Sequence, residues 1–366
     1  MRTSPFVAID LFAGGGGLSL GLKQAGFAVC AAVENNAKAA ETYAANHPEA
    51  VVFQRDIRKI KGKELVAASP TGAVDLIAAC PPCQGFSQLT AKYRRNDLRN
   101  ELIFEFVRLV KEIRPKAIMM ENVPGLVKKG KPLFDAAMAE LESLGYKLNS
   151  KVLEVADYGV PQRRSRLVML GAKRAEIPIP PRTHSPKPDG DLKPWVTVRD
   201  AIAHNDNPIS LRASNSIGGP QSVNWHVVRD LGHANLERLK ASVAGGARSD
   251  IPVHLRPPCH QGSDTGFTNV YGRMAWDQPS PTITGGCTSL SKGRFGHPTE
   301  VRTISVREAA TLQSFPPTFV IATPHVEDAC KIIGNALPPK FAKVMAESCI
   351  AALKRDQKNG RKKQRI

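Results

Sequence analysis

Apolar and polar positions follow two rhythms along the first 180 residues. Short apolar runs at Phe6–Phe12, Ala28–Val33, Val51–Phe53 and Val74–Ala79, bounded by Gly, Pro or acidic residues, predict buried strands. Between them the segments at about Leu18–Ala25 and Ala37–Ala45 space their apolar residues at helical intervals. The alternation continues through a helix at about Asn100–Ile113, a strand at Ala117–Met120, a helix at about Leu133–Leu144, and strands at Lys147–Val155 and Arg166–Gly171. Such strand–helix repetition predicts an α/β fold with a doubly wound, Rossmann-like sheet.

From Pro178 the texture changes. Prolines, glycines and eight of the nine histidines crowd between Pro178 and about His325, with few long periodic segments. This predicts a smaller, irregular second domain of short strands and loops. An amphipathic helix at about Pro338–Leu353 is expected to rejoin the first domain. The division is therefore 1–180 plus 326–353, then 181–325, and a basic tail over 354–366 expected to be disordered. No internal repeat is visible.

Composition adds a partner and a compartment. The chain has 366 residues, 42% of them apolar, and a formal net charge of +18. An excess of Lys and Arg favours a polyanion, because each phosphate neutralised releases counterions. Seven cysteines, no leader-like start and no membrane-length apolar run predict an enzyme of the reducing cytosol with no membrane partner.

The candidate chemistry lies at strand ends. Cys83 stands in Ala79-Cys80-Pro81-Pro82-Cys83-Gln84-Gly85, just beyond an apolar strand, where open α/β sheets bind ligands. Cys80 and Cys83 form a C-x-x-C pair, so a redox site or half of a zinc site are alternatives to a nucleophilic thiol. The distant Cys259-His260 pair lacks metal-ligand spacing, and a redox site leaves the remaining motifs unexplained. Asp10-Leu11-Phe12-Ala13-Gly14-Gly15-Gly16-Gly17 follows the first strand and opens a helix, a setting in which a ligand approaches the backbone closely. Glu34 ends the second strand about twenty residues later, placed to bond ribose hydroxyls. Asp56 and Ile57 follow the third strand and could serve an adenine ring. Glu121 follows the strand before Asn122-Val123, bringing a carboxyl group to the edge that carries Cys83. A thiol and a carboxyl group converging there suit covalent attack on a heteroaromatic ring. Gln162-Arg163-Arg164-Ser165-Arg166 adds cations at the start of another strand.

In this order the blocks resemble the DNA (cytosine-5)-methyltransferase family, bacterial type. The resemblance runs through DLFAGGGG (10–17), Glu34, RDI (55–57), PPCQGFS (81–87), ENV (121–123), QRRSR (162–166), RTISVREAATLQSFP (302–316) and GNALPP (334–339). It implies Cys83 as nucleophile, Glu121 as the carboxylate at cytosine N3, and Arg164 and Arg166 as the spaced arginines beside them. It implies S-adenosylmethionine as cofactor, held by Phe12, Gly14, Gly16, Glu34, Asp56, Ile57, Pro81 and Asn335. Gln88, Gln162, Thr282 and Arg302 are its expected DNA-side positions. The first domain becomes the catalytic and cofactor-binding one, and 181–325 the target-recognition region. Two positions depart mildly: four successive glycines in the first loop, and Leu337 where Val is more usual.

The resemblance implies addition of the Cys83 thiolate to C6 of a flipped cytosine in double-stranded DNA, methyl transfer to C5, and elimination. A free thiol with a pKa of about 8.5 is only a few per cent ionised at pH 7, so nearby cations have to lower it. A monomeric, cytoplasmic, nucleoid-associated enzyme is expected, working alone or beside a cognate restriction endonuclease. Methylation of tRNA and a catalytically silent DNA-binding homologue are the alternatives. Cys80 is expected to be structural.

Overall fold

The structure, a computed structural model, describes residues 5–82, 98–262 and 268–363. Cys83 and Gln88 lie outside the described residues. The chain divides into two compact units. The first is Met1–Val155, Ser165–Arg182 and Leu337–Ile366, and the second is Ala156–Arg164 and Thr183–Ala336.

The first unit is built on β1 (Phe6–Leu11), β2 (Phe27–Val33), β3 (Val51–Phe53), β4 (Leu76–Ala79), β5 (Ala117–Asn122), β6 (Lys147–Glu154) and β7 (Ser165–Ala172), in the order β3-β2-β1-β4-β5-β7-β6. Neighbours pair in parallel except at β7, which runs antiparallel between β5 and β6. β1, β4 and β5 are buried along their whole length, as continuous apolar runs must be in a sheet covered on both faces. Helices α1 (Gly17–Ala25), α2 (Ala37–Asn46), α3 (Gly62–Ala67), α4 (Leu102–Ile113) and α5 (Lys131–Ser143) supply the cover. α4 buries Ile103, Phe106, Val107 and Val110 in the core that also holds Ile9, Leu11, Ile77 and Ile118. Strand order reverses between β1 and β4, so the crevice beyond their carboxyl ends is the ligand position of such sheets.

The second unit carries α6 (Val198–Ile202), α7 (Leu211–Asn215), α8 (His233–Ala241), α9 (Val306–Leu312) and α10 (Val326–Asn335), with pairs of two-residue strands. Ser305 caps α9 and Glu308 bonds back to the Ser305 amide, the S-x-x-E signature hidden in the SVREAATL segment. α10 packs on α9, and a Cβ on Gly334 would lie 2.1 Å from the Thr284 carbonyl carbon. These contacts group residues 326–336 with the second unit, where the sequence division had put them with the first.

The last helix, α11 (Pro339–Lys363), belongs to the first unit and packs on α1. Close approach needs Gly21, whose Cβ would meet Ala342 Cβ at 2.5 Å. α11 continues ten residues beyond the expected end at Leu353, so residues 354–363 are helical rather than disordered. The reason is physical: Lys, Arg and Gln are good helix formers, and the buried half has already met the nucleation cost. Among the described residues, no helix is long and apolar enough to cross a membrane.

Candidate active site

The carboxyl edge of the first unit assembles the glycine loop, Glu34, the end of β4 and Glu121. Phe12 takes a left-handed conformation (φ 60°) that turns the chain sharply out of β1. Gly14 (φ 54°) and Gly16 (φ 94°) follow with the same sign, which glycine adopts freely. Gly16 is also needed for space, since its Cβ would lie 2.5 Å from His47 Nε2. Glu34 crosses the loop, Oε2 accepting from the Gly14 amide at 2.8 Å and Oε1 from the Asn36 amide at 2.7 Å. Apart from its own chain neighbours, no heavy atom of the described residues lies within 4 Å of the position a Gly14 Cβ would occupy. This open cradle, beside a carboxylate and the first turn of α1, fits the adenosine and methionine parts of S-adenosylmethionine.

Asp56 is held by Arg58, which donates from its backbone amide and its guanidinium, and those bonds push the carboxyl down to about 2. It is therefore an ionised acceptor at any physiological pH. Ile57 is packed in the core and exposes 4% of its surface, so it offers little apolar area to a ligand. Pro81 is buried, and its carbonyl accepts from Asn122 Nδ2 at 3.0 Å, tying the approach to Cys83 to the end of β5.

Glu121 lies within β5, one residue before its end, opposite Val168 of β7. Arg166 is two residues from Val168 and so shares its face, which is how the antiparallel pairing brings the two side chains together. Arg166 Nε meets Glu121 Oε1 at 2.6 Å, with the side chains only 12% and 10% exposed. Burial pulls the Arg166 guanidinium below its ordinary value, while the Glu121 charge pushes it back up. Cys80 joins the pair: burial first and then the Glu121 carboxylate, to which its thiol hydrogen-bonds, hold it protonated well above the usual range. Its role is thus more specific than a structural strand end, and the arrangement keeps it a poor nucleophile.

Two supporting residues escaped the sequence reading. Asp10 accepts a 2.7 Å bond from Ser19 Oγ, which also meets Tyr43 Oη at 2.7 Å, anchoring α1 beneath the loop. His47 contacts the Gly16 carbonyl through Nε2 at 3.0 Å. The nine-residue interval from Asp10 to Ser19 across the glycines was the available signal. Burial raises Asp10 from 3.8 to about 7. Its folded value lies above its unfolded one, so the folded state binds the extra proton and Asp10's contribution to stability falls as pH rises from 4 to 7. Relative to wild type, Asp10→Asn should therefore gain up to about 4 kcal/mol between pH 4 and pH 8, three units at 1.36 kcal/mol each. Urea unfolding across that range measures it; a flat difference would contradict the assignment.

In the second unit the expected site residues turn inward. Gln162 is fully buried, donating from Nε2 to Gln313 Oε1 at 2.7 Å and accepting from the Ile283 amide at 2.9 Å. Both ends of its amide are thus bonded within the second unit. Arg302 binds Glu308 at 2.8 Å and Glu300 at 2.6 Å with 12% exposure, and so also serves the interior. Arg164 donates to the carbonyls of Ile283, Gly334 and Ala336, clamping the backbone on both sides of Asn335. Asn335 itself is exposed at the end of α10. Thr282 donates to the Arg163 carbonyl at 2.8 Å.

The sequence pattern of the C-5 cytosine-specific DNA methylase family matches residues 6–351. The type II methylase M.HgiDII of Herpetosiphon aurantiacus is 39% identical over 346 residues, covering 93% of this chain and 94% of that protein. The type II methyltransferase M1.HphI of Haemophilus parahaemolyticus is 37% identical over 347 residues, 93% of this chain and 86% of its own length. Among solved structures, an E. coli prophage protein described as a DNA modification methyltransferase matches with a TM-score of 0.71 at 25% identity, over 95% of this chain and 99% of that one. Spodoptera frugiperda DNMT2 shares the fold, with a TM-score of 0.64 at 17% identity over 94% and 99% of the two chains. With the family pattern spanning nearly every residue and relatives more than a third identical along their length, this chain belongs to the C-5 cytosine-specific DNA methylase family and is a DNA (cytosine-5)-methyltransferase.

Proposed function

We propose that the protein is a sequence-specific methyltransferase of the type II restriction–modification kind, acting on duplex DNA through a covalent bond from Cys83 to C6 of a flipped cytosine. The observation that carries this reading is the nearly buried Glu121–Arg166 pair on the sheet edge that carries the glycine loop and leads into Cys83. Flipping costs a few kcal/mol, which phosphate contacts from a strongly basic chain offset.

S-adenosylmethionine, when bound, supplies an electrophilic methyl group. Glu34, the glycine loop and Asp56 bind the adenosine and amino-acid parts. Cys83 adds to C6, which makes C5 nucleophilic. Glu121 stabilises charge at N3, and Arg166 fixes the orientation of that carboxyl group. Loss of the C5 proton then expels the Cys83 thiolate. The second unit is assigned to target recognition. The enzyme is read as a cytoplasmic monomer that shares its site with a cognate endonuclease.

Labelled methyl transfer from S-adenosylmethionine to duplex DNA and to tRNA, followed by bisulfite sequencing of DNA from expressing cells, tests this directly. Label is expected in the duplex at cytosines within one recurring sequence. Incorporation into tRNA alone, or scattered conversion without a sequence, would overturn the proposal.

A further inference from the structure

The course of α11 separates two edges of the first unit. Gly21, in mid-α1, packs against Ala342, and a Cβ on Gly26, just past its end, would lie 3.7 Å from Ile350 Cδ1. α1 begins at the glycine loop, and Phe27 beyond it pairs with Phe6, the first residue of β1. α11 therefore descends alongside α1 from the catalytic edge toward the amino edge of the sheet. Asp356 confirms the direction, meeting Arg174 just after the end of β7, which pairs with the start of β5.

Beyond Leu353 the buried face of α11 stops, but its opposite face does not. Lys354 and Lys358 follow at i and i+4, one side of a helix, with Arg355 beside them. Lys354, Arg355 and Lys358 are exposed. The amino edge that they extend is itself cationic. Arg114 precedes β5, Lys147 opens β6, and Lys173 and Arg174 follow β7. Partial burial and the neighbouring Arg114 charge hold Lys173 below the ordinary lysine range, a sign that these cations crowd one another. Among the described residues, Asp75 pairs there with Lys116 at 2.7 Å and Asp356 with Arg174 at 3.6 Å. Like charges so close destabilise the free protein and are relieved by a polyanion.

We propose that this amino edge and the exposed stripe of α11 form a second docking surface for duplex DNA, independent of base sequence and turned away from the catalytic edge. It rests on DNA being the substrate, the polyanion this enzyme meets. Such a surface would hold a neighbouring DNA segment while the catalytic edge searches or reacts.

The test uses the full chain and a variant carrying Lys354→Gln, Arg355→Gln and Lys358→Gln, which keeps good helix formers. A second variant, Lys147→Gln with Arg174→Gln, leaves α11 intact. Binding of random-sequence duplex is measured by anisotropy from 50 to 200 mM salt. Each lost phosphate contact should reduce the salt slope by about 0.9, so the threefold variant is expected to lose about 2.7 and to bind at least about tenfold more weakly at 100 mM salt. Energy transfer between two differently labelled duplexes should be seen with wild type and lost in both variants, while methyl transfer at low salt is unchanged. Unaltered slope and bridging would overturn the proposal, as would a loss of affinity confined to tRNA. Failure of the methyltransferase reading would appear separately, as no incorporation by the wild-type chain.

Discussion

Cys83→Ser is expected to lower methyl transfer to duplex DNA by about 10⁴- to 10⁶-fold, the scale on which removing a nucleophile that works as a unit with its partners is felt. A serine hydroxyl is far less ionised than a thiol at neutral pH, so attack on C6 fails while cofactor and DNA binding persist. Cys80→Ser is the contrast. Cys80 is held as a neutral thiol by burial and by Glu121, and a hydroxyl can donate the same hydrogen bond, so activity should stay within about threefold of wild type. Single-turnover label transfer, with calorimetric S-adenosylmethionine binding as control, measures both. If Cys80→Ser were the dead variant and Cys83→Ser the active one, the nucleophile would be misassigned.

Glu121→Gln should cost about 10²- to 10⁴-fold in methyl transfer, the usual contribution of a positioned acid or base. It should also destabilise the first unit by on the order of 3 kcal/mol, because Arg166 keeps its charge in a nearly dry site with a neutral partner. Arg166→Met tests the division of labour. It leaves Glu121 without the cation that orients it, so kcat should fall while S-adenosylmethionine affinity holds. Activity of Glu121→Gln within tenfold of wild type would remove the carboxyl group from the chemistry, whatever its effect on urea unfolding.

The strands and helices of the first unit were legible because their cover is periodic and their ends are marked by Gly, Pro and caps. Strand direction was not: Lys147–Glu154 and Ser165–Ala172 read as strands, but nothing local says that β7 enters antiparallel between β5 and β6. That insertion is what delivers Arg166 to Glu121, so their pairing required the sheet. The glycine loop and Glu34 were readable from spacing alone. The inward bonding of Gln162 and Arg302 was not legible, because a polar side chain is outward by default. Their partners Gln313 and Ile283, and Glu308, lie 151, 121 and 6 positions away and exist only in the folded unit. α11 was cut short because a run of charge resembles a disordered tail until its helical stripe is counted.

The chain passes between the two units four times, and the short excursion Ala156–Arg164 is separated from the long one, Thr183–Ala336, by β7. On the proposal that the second unit reads the target, specificity cannot be exchanged by transplanting the long excursion as one cassette. Gln162 and Arg164 would be left behind with bonds addressed to Ile283, Gln313, Gly334 and Ala336 of the departing segment. A functional chimaera has to retain residues from about Ser280 onward and replace only the stretch before them.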